Sequence, residues 1–303
     1  IKNTAAFGPA AQAYQAYAFA DYDTARNQAY ELSKAGDINA QALLGDLCLR
    51  GKGLPQNYER AYAYYQAAAQ AGNRRAMHAL GVMHENGYGA AQDIQAALAW
   101  YSKAAQAGLP NSQERLGVIY MGGLNGAPKN VVAGLRYLEQ AAANGSFSAA
   151  TRLGIIHMRG GDIARDIRTA YNWFKKAVDA GDGKAQFYLA LFHAEGFIRP
   201  KDYPIAFFWA RRSALRNDDD GQYLLGTLFE KGMGTKQDKA EAAAWYILAS
   251  SAKTPTGALA AQANERLKRE LDFAVYARGR TLAEKFIPYP PAYYKDADAF
   301  FAL

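Results

Sequence analysis

A Leu-Gly pair returns every 36 residues along this chain, with one interval of 37: Leu44-Gly45, Leu80-Gly81, Leu116-Gly117, Leu153-Gly154, Leu189-Ala190 and Leu225-Gly226. A repeat kept this strictly constrains the fold more than any bulk property. Units of this length stack so that each packs on its neighbours, and the 303-residue chain grows along one axis instead of dividing into globular domains. Two further series keep the same phase. One is Tyr64, Trp100, Tyr137, Trp173, Trp209 and Trp245; the other is Gly36, Gly72, Gly108, Gly145 and Gly181, continued by Asn217.

Each series has a physical reading, and the chain's wealth of Ala, Leu and Gln makes helix the element to test first. The Leu-Gly pair is expected on a first helix, where glycine lets a second helix come close. A lone helical glycine costs about 1 kcal/mol against alanine, so its return implies a packing reason. The Trp/Tyr series is expected on the second helix, filling the space between units. The terminal glycines end that helix in the left-handed conformation, for which Asn217 is the usual substitute.

Asn57, Asp93, Asn130, Asp166, Asp202 and Asp238 stand four residues before a small residue of each second helix. Asp and Asn cap helix starts by accepting from unpaired backbone N–H groups, and six acids or amides in one phase read as caps rather than as an active site. Glycine-rich stretches join the two helices, as at Gly51-Lys52-Gly53, Gly87-Tyr88-Gly89 and Gly232-Met233-Gly234. They lack the spacing, and the Lys followed by Ser or Thr, of a phosphate-binding loop, so they predict tight turns. The single extra residue falls between Met121 and Asn130, in one such turn, where an insertion is tolerated.

This pattern resembles the Sel1-like branch of the tetratricopeptide superfamily. The unit Ala76 to Gly108 carries it most fully, with Leu80-Gly81, Gly87-Tyr88-Gly89, Asp93, Ala97, Trp100-Tyr101 and Ala104-Ala105. The resemblance implies an all-α, right-handed superhelical solenoid of antiparallel helix pairs with a concave face. It also implies a role in protein–protein interaction, common in bacterial periplasmic, secreted and envelope proteins. Some members carry a disulfide in each unit; Cys48, the only cysteine here, permits none within the chain.

The expected organisation is an N-terminal capping helix pair at 1–36, six repeats at 37–252, and C-terminal capping helices at 253–286. The repeat phase dissolves at Thr254-Pro255-Thr256-Gly257, with helices near Ala258–Leu271 and Phe273–Phe286. A tail at 287–303 follows, rich in Pro and aromatic residues. It is expected either to pack on the solenoid or to bind a partner. The chain begins with Ile1 and leaves open a removed leader or lipid anchor upstream. No apolar run approaches the roughly 20 residues needed to span a bilayer.

Chemistry finds little foothold. There is no Gly-x-Ser-x-Gly, His-Glu-x-x-His or Cys-His constellation. Three of the four histidines, His84, His157 and His193, share one repeat position with Cys48, Tyr120 and Phe229, which makes them packing residues rather than metal ligands. No cofactor or metal is expected. The net charge of +7 is spread through short clusters such as Arg74-Arg75 and Arg211-Arg212, without the stripe that a nucleic-acid partner requires.

By analogy with the wider superfamily, the concave groove is lined by first-helix residues flanking each Leu-Gly pair. These positions supply the partner-binding candidates Arg75, His78, Glu85, Glu114, Met121, Thr151, Met158, Arg159, Lys184, Phe187, Glu195, Tyr223 and Lys231. Met121, Met158 and Phe187 would form an apolar anchor between charged ends, which suits a protein or peptide better than a phosphate backbone. The expected function is a non-catalytic adaptor or scaffold, periplasmic or secreted, with the cytoplasm as the alternative location. Two other readings are an assembly factor of an envelope secretion machine and a secreted factor engaging a host molecule.

Overall fold

A computed structural model describes residues 8–179 and 181–288. The aromatic tail expected at 287–303 therefore lies, from residue 289 onward, outside the described residues. Those residues form sixteen α-helices and no strand. An opening pair, α1 (Ala11–Ala18) and α2 (Tyr22–Lys34), is followed by α3 (Ile38–Arg50) with α4 (Tyr58–Gln70). Then come α5 (Arg74–Asn86) with α6 (Ile94–Gln106), and α7 (Pro110–Gly122) with α8 (Val131–Ala143). The later pairs are α9 (Phe147–Arg159) with α10 (Ile167–Val178), α11 (Gly183–Glu195) with α12 (Tyr203–Leu215), and α13 (Asp219–Lys231) with α14 (Lys239–Ser250). α15 (Pro255–Glu270) and α16 (Phe273–Glu284) close the described chain. It is an all-α fold of tandem antiparallel helix pairs.

Two compact units divide the chain between Ala149 and Ala150, within α9. In the first, each second helix packs on the first helix of the next pair: α2 on α3, α4 on α5, and α6 on α7. In the second, α10 packs on α11 and α12 on α13; α13 also meets α11 and α15, and α14 meets both α15 and α16.

The second-helix caps stand as expected. Asn57, Asp93, Asn130, Asp166, Asp202 and Asp238 each accept from the backbone N–H three residues on. A second cap series went unnoticed in the sequence although it keeps the same phase. Asp37, Asn73, Ser146, Asp182 and Asp218 begin first helices, and each accepts from the N–H three residues on, at Ala40, Ala76, Ala149, Ala185 and Gly221. α7 lacks such a cap and instead begins on Pro110, whose missing N–H needs no partner. The series continues at Thr254, whose hydroxyl accepts from Gly257 N at 3.0 Å. The stretch Thr254-Pro255-Thr256-Gly257 is thus the cap and first turn of α15: the cap register runs one helix beyond the last Leu-Gly pair. Proline at N1 and a threonine cap start a helix as readily as they interrupt one.

The space-filling ring sits one residue later than expected. Tyr65, Tyr101, Leu138, Phe174, Ala210 and Tyr246 are buried at this position, whereas Tyr64, Trp100, Tyr137, Trp173 and Trp209 are half-buried; only in the sixth repeat is the expected ring, Trp245, buried as well. In two repeats a lysine three residues on lies over the indole, Lys103 at 4.3 Å from Trp100 and Lys176 at 4.7 Å from Trp173. The buried ring lies directly over the helical glycine. A Cβ on Gly45, Gly81, Gly154 or Gly226 would stand 2.5–2.8 Å from Tyr65, Tyr101, Phe174 or Tyr246. The exception explains itself: Ala190 replaces the glycine in the one repeat whose ring is reduced to Ala210. The two changes conserve volume across the contact.

Of the histidines in the last turns of first helices, His84 and His193 pack on aromatic rings, His193 against Tyr171 edge-on at 6.3 Å. His84 meets the Tyr62 ring edge-on at 5.5 Å, with Nε2 3.2 Å from the Tyr62 hydroxyl, and Phe229 meets Phe207 edge-on at 5.1 Å. This position also has a backbone duty. The carbonyls of Cys48, His84, Tyr120, His157, His193 and Phe229 each accept from the N–H of the second-helix cap residue at 2.8–3.0 Å, closing the inter-helix loop. Because that duty is main-chain, the side chain is free to vary. The extra residue of the third repeat is taken up by a 3-10 turn at Leu124–Gly126.

Candidate functional site: the first-helix surface

In the first unit, the candidates on α5 and α7 face largely inward. Arg75 lies over the Tyr14 ring at 5.8 Å. His78 brings Nδ1 to 2.8 Å from the Ser112 hydroxyl, and its ring tilts against Tyr101 at 5.3 Å. Glu85, only 8% exposed, accepts from the Tyr101 hydroxyl at 2.7 Å and from Arg115 Nε at 3.0 Å, with a second Arg115 nitrogen on its other oxygen. Glu114 accepts from the Ser146 and Ser148 hydroxyls at 2.7 and 2.6 Å. Met121 is half-buried over α8, where a Cβ on Gly134 would meet its Cγ at 2.7 Å.

In the second unit, Thr151 is buried and donates to Asp182 Oδ1 at 3.0 Å. Lys184 pairs with Asp220 and, at 3.5 Å, with Asp218, and its ammonium lies 5.6 Å from the Phe187 ring. Phe187 is half-buried beside Tyr188, and Tyr223 is half-buried beside Tyr246, with ring centroids 5.1 and 5.5 Å apart. Met158 is half-buried; Arg159, Glu195 and Lys231 are exposed, with Glu195 3.7 Å from Lys201.

Glu85 and Thr151 are therefore corrections to the groove reading. Counting a full turn beyond the glycine returns the side chain to the helix face beneath the second-helix ring, which is where Glu85 stands. His78, Glu114 and Lys184 are engaged within the protein. Across the two units, Met158, Arg159, Phe187, Glu195, Tyr223 and Lys231 form the part of the expected set that keeps open surface in the second unit.

Burying Glu85 exposes a device that the sequence reading missed. Three core tyrosines, Tyr65, Tyr101 and Tyr246, donate their hydroxyls to Asp46, Glu85 and Glu230 at 2.6, 2.7 and 2.8 Å. A phenol hydroxyl taken out of water needs such an acceptor. Where the core residue is Leu138, Phe174 or Ala210 and has no hydroxyl, the place of Glu85 is held by Met121, Met158 or Ala194; in the first repeat that place is Leu49, and the acid stands three residues earlier, at Asp46. An arginine from the following helix pair completes two of these clusters: Arg115 on Glu85, and Arg266 on both oxygens of Glu230 at 2.7 and 3.0 Å. Arg266 holds the Glu230 carboxyl below the usual range, whereas burial pushes Asp46 up to about 6. The co-variation of acid with core tyrosine was the available signal.

Burial, aided by the Arg115 charge, pushes the His78 imidazole down from 6.5 to about 4. The unfolded chain takes a proton on this group as pH falls through 6.5, while the folded chain resists until about 4. Its contribution is therefore present above 6.5 and lost between 6.5 and 4. Asp46 acts in the opposite sense, because the folded carboxyl takes its proton near 6 and the unfolded one near 3.8. Replacing His78 with Gln should make the first unit's stability fall less steeply over that window, as read by urea melts at stepped pH. An unchanged slope would remove His78 from the account.

Cys48 is free and buried, and burial raises its thiol above the ordinary value. Among the described residues no group of three His, Cys, Asp or Glu side chains is placed to hold a metal ion. No helix among them is long and apolar enough to cross a membrane.

The Sel1 repeat family profile matches six consecutive segments of the chain, at 38–73, 74–109, 110–146, 147–182, 183–218 and 219–253. Among solved structures, a Sel1 repeat protein from Oxalobacter formigenes aligns with a TM-score of 0.74 at 24% identity, covering 80% of this chain and 100% of that one. The c5321 protective antigen of uropathogenic Escherichia coli, with its SLR fold, aligns with a TM-score of 0.52 at 23% identity, covering 88% of this chain and 64% of that one. Both likenesses concern the fold. A search of curated proteins gave no match.

Proposed function

This chain belongs to the Sel1 repeat family, and on that premise we propose that it holds an extended protein segment along the first helices of its second unit. Proteins of the family serve as interaction scaffolds rather than enzymes. The partner's anchor would be Met158, Phe187 and Tyr223, with Arg159, Glu195 and Lys231 setting its orientation. A protein periplasmic or secreted in a bacterium is the setting we favour, on the family resemblance alone.

One observation carries the reading. The packing pair recurs in α9, α11 and α13 as Leu153-Gly154, Leu189-Ala190 and Leu225-Gly226, while the partly open positions change from repeat to repeat and include Met158, Phe187 and Tyr223. Half-exposed Met, Phe and Tyr beside exposed charges match the composition of peptide-binding surfaces. Electrostatic side chains at the rim then select register rather than supply most of the affinity.

A photo-crosslinking residue placed at Phe187 or at Tyr223 should capture one partner protein in the native cell, whereas the same residue at exposed Asn172 on α10 should not. Arg159→Glu with Lys231→Glu should abolish that capture in a folded protein. Lys184 is unsuited to this test, because reversing it would break its pairing with Asp218 and Asp220. Equal capture from Phe187 and Asn172, or none from Phe187 and Tyr223, would sink the proposal.

A further inference from the structure

The fifth repeat departs from the other five at the outer face of its second helix, and the departures share one character. The residue before the Trp/Tyr position is Ala63, Ala99, Arg136, Asn172 and Ala244 in the other repeats, but Phe208 here. Three residues earlier the others have Arg60, Ala96, Ala133, Thr169 and Glu241, where this repeat has Ile205. In the loop before α12, Ile198 occupies the place of the second loop glycine, Gly53, Gly89 or Gly234. Phe197 precedes it. All four side chains are exposed, Phe208 by 51%. Phe197 also meets the buried Phe192 edge-on at 5.2 Å, but Ile198, Ile205 and Phe208 project beside it within twelve residues, and such a cluster marks an interaction surface.

Basic groups outnumber acidic ones around it. Arg211 and Arg212 stand exposed one turn beyond Phe208, and Arg212 lies 5.5 Å from the Phe208 ring and 5.8 Å from that of Trp209. Arg199 and Lys201 flank the loop. Of the nearby acids, Glu195 is 3.7 Å from Lys201 and Asp202 caps α12. Ile205, Phe208 and Arg212 follow one helix stripe, since residues three and four apart are neighbours on a helix. Apolar groups thus stand at the start of the helix and in its loop, and guanidinium groups one turn further along.

We propose that this face of α12, with the loop before it, docks onto an anionic phospholipid bilayer. The apolar side chains would enter the interfacial region, Trp209 would lie at the headgroup level, and Arg211 and Arg212 would pair with lipid phosphates. A bilayer demands no complementary shape, which suits apolar groups that project from a loop and a helix start. The chain's net charge of +7 adds attraction at longer range. The face belongs to a second helix, whereas the proposed protein-binding residues stand on first helices, so either can fail without the other.

Sedimentation of the purified chain with vesicles tests it, using phosphatidylcholine alone and phosphatidylcholine mixed with phosphatidylglycerol. The mixed vesicles should bind the protein and the neutral ones should bind it far less, with binding weakened by salt. Arg211→Gln with Arg212→Gln should lower binding about tenfold or more. Ile205→Ala with Phe208→Ala should lower it comparably, with circular dichroism confirming the fold of both. Lys34→Gln with Lys268→Gln, which removes the same amount of charge from exposed sites on other helices, should lower it far less. No binding to the mixed vesicles, or binding that both α12 variants retain, would overturn the proposal, and the first result would leave a protein partner as the occupant of the face.

Discussion

Replacing Phe174 with Ala should destabilise the second unit by about 3–5 kcal/mol, the range for emptying a fully buried aromatic site. Phe174 is fully buried, stacks on Tyr188 with ring centroids 4.5 Å apart, and meets Phe192 edge-on at 5.8 Å. Trp173→Ala, one residue earlier, should cost much less, because that ring is half-buried under Lys176. Chemical denaturation of the two variants decides between them. A larger loss for Trp173 would show that the core position has been misassigned. The contact with Gly154 adds a sharper test. Gly154→Ala alone places a methyl 2.5 Å from the Phe174 ring and should cost about 1–3 kcal/mol. In the double variant the two losses should sum to less than their parts, since removing the ring makes room for the methyl. Ala190 with Ala210 already shows that combination in the following repeat.

Gly234→Ala should be almost as damaging, at about 2–4 kcal/mol, for a different reason. Its φ is +71°, in the left-handed region, and a Cβ there would stand 2.1 Å from the carbonyl oxygen of Tyr203. That oxygen is main chain at the start of α12, so no side chain can swing aside. Gly89 repeats the arrangement in the first unit against Tyr58, and Gly53 against Tyr22. The second loop glycine therefore joins one repeat to the helix start of the one before it. Gly36→Ala is the control: its φ is similar at +85°, but its Cβ would meet nothing within 4 Å. It should cost only the backbone strain, about 1–2 kcal/mol. Equal melting temperatures for the Gly36 and Gly234 variants would refute the close-approach argument.

Much of this was legible in the residues alone. Helix pairs, their spacing and their caps follow from local rules: Asp, Asn and Thr satisfy helix-start N–H groups, and glycine or Asn217 takes positive φ where a helix ends. Such preferences act over a few residues, so a repeat of them appears in the sequence as a repeat. The second cap series and the Thr254 start obey the same rules and were there to be found. Even the pairing of core tyrosine with acid, and of Ala190 with Ala210, was written as co-variation between repeats.

What the sequence could not rank was direction across a contact. Trp173 and Phe174 are neighbours of equal apolar promise, and only the approach of α10 to Gly154 decides which ring is enclosed. Glu85 and Met158 hold the same repeat position. Whether that position serves the core or remains partly open depends on whether a tyrosine hydroxyl comes down on it from the second helix. The same holds for Thr151, which is spent on Asp182, and for Lys184, spent on Asp218 and Asp220. Helical periodicity places a side chain on a face within the width of one residue, about 100° of arc. Burial, ion pairing and hydrogen bonding are settled within a few ångström, between residues roughly a repeat apart, and that distance only the tertiary structure closes.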